Sequence, residues 1–192
     1  MKGINIFLAD GFEDIEALGT SDVLRRAGLH TRFIAIGEDP FVVSSHGVTV
    51  GIDEFLPEME ISHEGTTARD VMIFPGGMPG SRSLASCKGL IKLMCEHYAA
   101  GGTVAAICAA PGLVLSQLQD DFSGVEFTCF DGFEQNLTAK GATFTPKAAV
   151  TCGRIITGRS AGHALSFGLE ILEKLAPSKV EEVRHSLYLV TE

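Results

Sequence analysis

Short unbroken apolar runs alternate with stretches of helical periodicity along the chain, and this alternation predicts a fold class. Residues 2–9 are almost continuously apolar and lack the two-residue alternation of a half-exposed strand, so they predict a parallel strand buried on both faces. Asp10-Gly11 closes that run. A helix is predicted from 13 to 27, with Ile15, Leu18, Val23 and Ala27 as its apolar side and Gly28 as its stop. Residues 31–36 complete a strand–helix–strand unit. Residues 41–44 and 48–52, joined through Ser45-His46-Gly47, predict a small hairpin. Residues 53–69 are polar and unpatterned, a loop with one short helical turn.

The second half continues the alternation. Residues 71–74 form a buried strand ended by Pro75-Gly76-Gly77-Met78-Pro79-Gly80, and a helix from 90 to 100 leads to the strand 103–107, which stops at Cys108. Residues 111–118 read as helix with Pro111 in the first turn, where it costs little. A strand at 125–129, a short helix at 133–137, a hairpin of 148–151 and 154–157, and a long apolar helix at 161–175 follow, with a short final segment after Pro177. The expected architecture is an α/β three-layer sandwich around a mostly parallel sheet, one domain over 1–192. In such sheets the ligand crevice lies beyond the carboxyl ends of the strands. The loops expected there carry residues 10–16, 75–80, Cys108 with its flanking alanines, and 159–163.

Composition narrows the function classes. With 45% hydrophobic and 20% charged residues the chain is neither disordered nor fibrous, and a net charge of −9 argues against nonspecific binding to nucleic acid or anionic membrane. The first apolar run ends at Asp10 without a small-residue cleavage site, and no run is long enough to span a bilayer; reduced thiols in a cytoplasm are the simplest expectation for the cysteines. The five cysteines, Cys87, Cys95, Cys108, Cys129 and Cys152, include no C-x-x-C pair; they fit neither a disulfide framework nor a zinc ribbon. With no H-x-x-x-H, H-E-x-x-H, P-loop or G-x-G-x-x-G, no metal or cofactor is expected and cofactor-free thiol chemistry is what remains.

Cys108 is the thiol that position singles out. It ends a buried strand and opens a helix, with the small Ala106 and Ala110 two residues to either side, as a sharp turn presenting a nucleophile requires. A helix N-terminus beyond it would lower the thiol pKa. On pattern alone, a small apolar residue ending a core strand explains Cys108 equally well. Glu13 and Asp14 are accounted for by the helix dipole. Glu16, one position beyond Ile15, is expected to reach the crevice, where desolvation would raise its pKa and let it shuttle a proton. Gly76-Gly77 offers free amides for an oxyanion, although a lone Gly-Gly is otherwise a tight turn. His163 stands near the same rim, where a surface or capping role outweighs a catalytic one.

Asp10-Gly11-Phe12-Glu13-Asp14-Ile15-Glu16, Phe74-Pro75-Gly76-Gly77 and Ala105-Ala106-Ile107-Cys108-Ala109-Ala110-Pro111, in this order and spacing, resemble the DJ-one/ThiJ/PfpI superfamily, class I glutamine amidotransferase-like, over essentially the whole chain. The resemblance implies a flavodoxin-like sandwich with a nucleophile elbow, usually homodimeric, with Cys108 reactive, Glu16 hydrogen-bonded to it, and Gly76 and Gly77 with Ala109 around an oxyanion pocket. The peptidase-like branch carries a histidine after the cysteine; Ala109 stands there in this chain and points to the DJ-one-like branch. Phe130 takes the place where several relatives set a histidine near the cysteine. The usual R-G-P-G-T turn reads Arg159-Ser160-Ala161-Gly162-His163, making Arg159 and His163 candidate pocket residues. The implied activity is a cofactor-free glyoxalase or deglycase acting on small carbonyl substrates such as 2-oxoaldehydes. The alternative is a redox-sensing or chaperone-like stress protein, with an amidase or peptidase disfavoured by Ala109.

Overall fold

The unbroken apolar runs become interior strands whose pleat sends successive side chains into two separate helical layers. The computed structural model describes residues 1–59 and 61–189. Its first half runs β1 (Ile4–Leu8), α1 (Asp14–Arg26), β2 (Thr31–Ala35), β3 (Phe41–Val43), β4 (Thr49–Gly51), β5 (Glu54–Phe55), β6 (Val71–Phe74), α2 (Gly80–Ser86) and α3 (Lys88–Ala99). Then come β7 (Thr103–Ile107), α4 (Ala110–Leu113), β8 (Glu126–Phe127), α5 (Gln135–Thr138), β9 (Thr143–Phe144), β10 (Ala149–Cys152), β11 (Ile155–Gly158), α6 (Ala164–Leu175) and α7 (Val180–Ser186). The main sheet has the order β10-β11-β7-β6-β1-β2-β5, parallel throughout except for the antiparallel β10 at one edge.

Ile4, Ile6 and Leu8 of β1, Val71 and Ile73 of β6, and Ala105 and Ile107 of β7 face α1 and α6, meeting Val23, Leu24, Phe167 and Leu172. The intervening Phe7, Met72, Phe74, Val104 and Ala106 face Leu84 of α2 and Leu90, Leu93 and Met94 of α3. Each large side chain so buried contributes about 1.5–3 kcal/mol, and both faces must be apolar for the sheet to be covered twice. The three-layer α/β sandwich expected from the sequence is what forms. Among the described residues no helix is long and apolar enough to cross a membrane.

Several local expectations are corrected. Ile15 is 55% exposed, and the inward face of α1 carries Glu16, Ala17, Thr20, Ser21, Val23 and Leu24 instead. Residues 111–118 are not one helix: α4 ends at Leu113 and a 3-10 turn, Leu115–Gln117, follows. The strand expected at 125–129 shortens to β8, which pairs in parallel with β9 outside the main sheet. Within 53–69, β5 adds an edge strand to β2 before the 3-10 turn Leu56–Glu58. Helix α2 escapes the periodicity because Gly80-Ser81-Arg82-Ser83-Leu84-Ala85-Ser86 contains one large apolar residue, Leu84. A 3-10 turn, Ala161–His163, precedes α6.

At the amino edge of the sheet His97 is fully buried, its Nε2 against the carbonyls of Asp70 (3.1 Å) and Thr103 (3.2 Å). Gly102 leaves room for the ring: a Cβ there would fall 2.1 Å from Nε2. Desolvation lowers the imidazole from 6.5 to about 4, so the folded protein keeps it neutral while the unfolded chain takes up a proton below about 6.5. This contribution to stability is therefore complete above pH 6.5 and is lost as pH falls towards 4, by about 3 kcal/mol at most. Urea midpoints measured between pH 7 and 4 should fall more steeply for wild type than for His97→Gln; parallel slopes would contradict it.

Candidate active site

Cys108 holds a left-handed backbone, φ +64°, directly after β7. A non-glycine residue there stores about 1–3 kcal/mol of strain and persists only when its surroundings fix it. Two hydrogen bonds do so: the Cys108 amide donates to Gly158 O at 3.0 Å, and the Phe130 amide donates to Cys108 O at 2.9 Å. Ala106 and Ala110 are fully buried around the turn, where larger side chains would hold the strand and helix apart. The thiol itself is half-buried.

Glu16 enters from α1. Glu13 caps that helix, its Oε2 accepting the Glu16 amide at 2.8 Å, and the cap turns the Glu16 side chain inward until it is 1% exposed. Gly76 stands between the two acids. Its amide donates to Glu16 Oε2 at 2.6 Å, and a Cβ on it would meet Cys108 Cβ and Glu16 Oε2, each at 2.6 Å, and Cys108 Sγ at 3.0 Å. Gly77, φ +87°, presses so close to the preceding loop that a Cβ would fall 2.4 Å from Glu13 N. The Glu13 amide in turn donates to Gly76 O at 3.0 Å. Glycines at 76 and 77 are thus required by backbone contact. Because the Gly76 amide is committed to Glu16, the expected oxyanion donor at that position is not free; the amides that act on the sulfur are those of Ala109 and Gly77.

Burial raises Glu16 to about 7, against the pull of its hydrogen bonds to the Cys108 thiol and the Gly76 amide. Burial, with the charge and hydrogen bond of Glu16, pushes Cys108 up to about 12, while the Ala109 and Gly77 amides pull it down. The low thiol pKa expected from a following helix does not arise, since burial and then Glu16 oppose it and α4 spans only four residues. Two such acids cannot ionise together near neutrality. The pair loses one proton near pH 7 and keeps the second far above it, so between those limits one proton and one negative charge are shared. The Gly76 amide supports the charge on Glu16; the Gly77 and Ala109 amides support it on sulfur.

The remaining candidates are placed as follows. Phe130 lies beside Cys108 through its backbone, with its side chain 47% exposed. Arg159 turns to Asp131 (Nη2–Oδ1 2.6 Å) and lies over the Phe144 ring, on the β8–β9 side. His163 is half-buried, its Nδ1 2.9 Å from Ser160 Oγ. Sequence reasoning missed Gly158, whose carbonyl holds the elbow and whose missing side chain makes room for Ile107 and Phe167. Folding also gathers a group that spacing did not reveal: Glu13, Asp14 and His46 bring ligand atoms within 4.8 Å of one another. Asp14 and His46 already satisfy each other at 2.7 Å.

Glu16→Gln tests the shared proton. Alkylation of Cys108 by iodoacetamide, followed by peptide mass spectrometry, should rise in wild type through about pH 7, where the pair loses its first proton. In the variant that rise should vanish, and the thiol should titrate alone below about 12, because the carboxylate charge that helped raise it is gone. An unchanged rise in Glu16→Gln would refute the coupling.

A family model described as DJ-1/PfpI family matches residues 2–174. The chain is 31% identical over 187 residues to Protein dj-1beta of Drosophila melanogaster, covering 97% of this chain and 96% of that protein. It is 29% identical over 178 residues to a Caenorhabditis elegans protein named Glutathione-independent glyoxalase DJR-1.2, covering 92% of this chain and 90% of that one. The crystal structure of Drosophila melanogaster DJ-1beta superposes with a TM-score of 0.85 at 32% identity, over 100% of this chain and 99% of the other. With its elbow, its inward carboxyl and its Gly-Gly loop on one rim, the chain belongs to the DJ-1/PfpI family.

Proposed function

We propose that the protein is a cofactor-free, cysteine-dependent glyoxalase acting on small 2-oxoaldehydes. The observation that carries this is the buried Glu16 carboxyl, held by the Gly76 amide at 2.6 Å, beside the Cys108 thiol on the same glycine. With the proton on Glu16, the sulfur is a thiolate; it adds to the aldehyde carbon to give a hemithioacetal whose oxygen lies near the Gly77 and Ala109 amides. Glu16 donates its proton as the alkoxide forms and, now a carboxylate, takes the C1 proton and returns it to C2 while the hydroxyl proton passes from the C1 oxygen to the C2 oxygen. The product is a 2-hydroxyacyl thioester, which water cleaves to the 2-hydroxy acid. An acid that titrates near 7 suits both halves of this cycle, because it gives and accepts at similar cost. The glyoxalase name of the Caenorhabditis elegans relative supports the same reading. Purified protein with methylglyoxal and no glutathione should release lactate, and Cys108→Ala should abolish it; no lactate above that control would defeat the proposal for this substrate.

We also propose that the protein is a homodimer. Phe41 (55% exposed), Val43 and Val48 lie on or beside the β3–β4 hairpin, and that hairpin docks on the loop before α1 through Gly11 N–Val43 O and Ser45 N–Phe12 O. Ile15, also 55% exposed, follows in the first turn of α1, and these side chains make up the apolar face that a second copy would cover. Sedimentation should give a dimer for wild type and a monomer for Phe41→Glu combined with Ile15→Glu. A dimer in both would exclude this face.

A further inference from the structure

Glu13 is an unusual residue to begin a helix. Asp, Asn, Ser and Thr are the favoured caps, because their short side chains fold back onto the first free amides. Glu13 nevertheless holds this position on α1, with an extended backbone (φ −84°, ψ 128°) and its Oε2 accepting the Glu16 amide at 2.8 Å. Capping alone does not call for so long a side chain.

Three hydrogen bonds close into a ring at this point. Glu13 Oε2 accepts the Glu16 amide, Glu16 Oε2 accepts the Gly76 amide at 2.6 Å, and Gly76 O accepts the Glu13 amide at 3.0 Å. Every link runs between Glu13, Glu16 and Gly76, so each residue is held by the other two. Gly77 braces the ring from outside, packing so closely that a Cβ on it would fall 2.4 Å from Glu13 N. Glu13 also sets a negative charge beside Glu16, and that charge opposes loss of the Glu16 proton. The other titratable groups facing the ring are Cys108 after β7, and Asp14 and His46, which pair with each other at 2.7 Å.

We propose that Glu13 is a positioning residue for the reaction of Cys108, closing the ring that holds the Glu16 carboxyl in place while it gives and takes protons; this rests on the glyoxalase reading of the site. The Gly76 amide can bond Oε2 whether or not the other carboxyl oxygen carries a proton. Glu16 therefore need not move as it exchanges protons with substrate. Glu13 acts through Glu16, by geometry through its carboxyl oxygen and by charge through its ionisation.

The test compares wild type with Glu13→Gln, Glu13→Asp and Glu13→Ala, and takes Asp22→Asn as the control, an acid farther along α1 that pairs with Arg26. Titration of Glu16 is followed by NMR of protein labelled at the glutamate carboxyl carbons, its signal assigned by loss in Glu16→Gln. Lactate release from methylglyoxal without glutathione is measured alongside. Glu13→Gln keeps an acceptor oxygen and loses the charge, so the Glu16 midpoint should move down from about 7. Glu13→Ala also opens the ring, and its kcat should fall roughly 100-fold with KM changed far less. The loss of kcat in Glu13→Gln should be much smaller. Glu13→Asp, which retains both acceptor and charge, should return both readouts towards wild type, and Asp22→Asn should change neither. A residue that merely capped the helix would leave the midpoint unmoved in Glu13→Gln; that result, or wild-type kcat in Glu13→Ala, would overturn the role of Glu13. Wild type that releases no lactate would overturn the glyoxalase reading, and a midpoint that still moved in Glu13→Gln would then uphold the hold of Glu13 on Glu16.

Discussion

One missing side chain holds the candidate site together. Gly76 lies so close to both acids that any Cβ would collide with Cys108 and with Glu16, and its amide already bonds the Glu16 carboxyl at 2.6 Å. The glycine thereby brings a half-buried thiol and a buried carboxyl within hydrogen-bonding reach. Desolvation then does the rest. It raises both acids, and because they face each other only one charge is tolerated across the pair. Burial and the charge of Glu16 hold the Cys108 thiol up to about 12, and the short α4 does little to offset them.

The rigidity this needs comes from the sheet. The strained Cys108 is anchored to β11 through Gly158 and to the segment after β8 through Phe130, so the elbow is tied on both sides by backbone hydrogen bonds. The Gly76-Gly77 loop is tied to the Gly11–Glu13 loop by the Glu13 amide on Gly76 O and packs against it too closely for a side chain at Gly77. Strain of about 1–3 kcal/mol at one residue is small beside the apolar burial that fixes β1, β6, β7 and β11 side by side.

What was legible in the sequence depended on how local the cause was. The elbow was, because Ala106, Cys108 and Ala110 lie within one turn of chain and their sizes alone permit it. The strands were, because burial on both faces leaves unbroken apolar runs. The inward face of α1 is not legible in the same way, because apolar Ile15 stays outside while the Glu13 cap fixes the first turn with Glu16 inward. The thiol pKa is not, because the depth to which folding buries the sulfur, the largest cause of its rise, and the charge of Glu16 beside it outweigh the helix N-terminus that the sequence displays. The role of Gly76 as donor to Glu16, and not to an oxyanion, is likewise a contact between separate loops that no spacing announces.

The arrangement of α1 also joins the interior of the site to the surface. Ile15 and Glu16 are adjacent, so the backbone that points one outward points the other in, and the rotation of the first helical turn sets both. That rotation is fixed twice over: by the Glu13 carboxyl on the Glu16 amide, and by Asp14 on Ser44 Oγ at 2.6 Å, which ties the turn to the β3–β4 hairpin. The hairpin is thus part of the scaffold of the carboxyl although it lies outside the main sheet. A change in how it docks must act on Glu16 before it acts on Cys108, because the elbow is bonded to β11 and to the segment after β8, whereas the first turn of α1 is bonded to the hairpin.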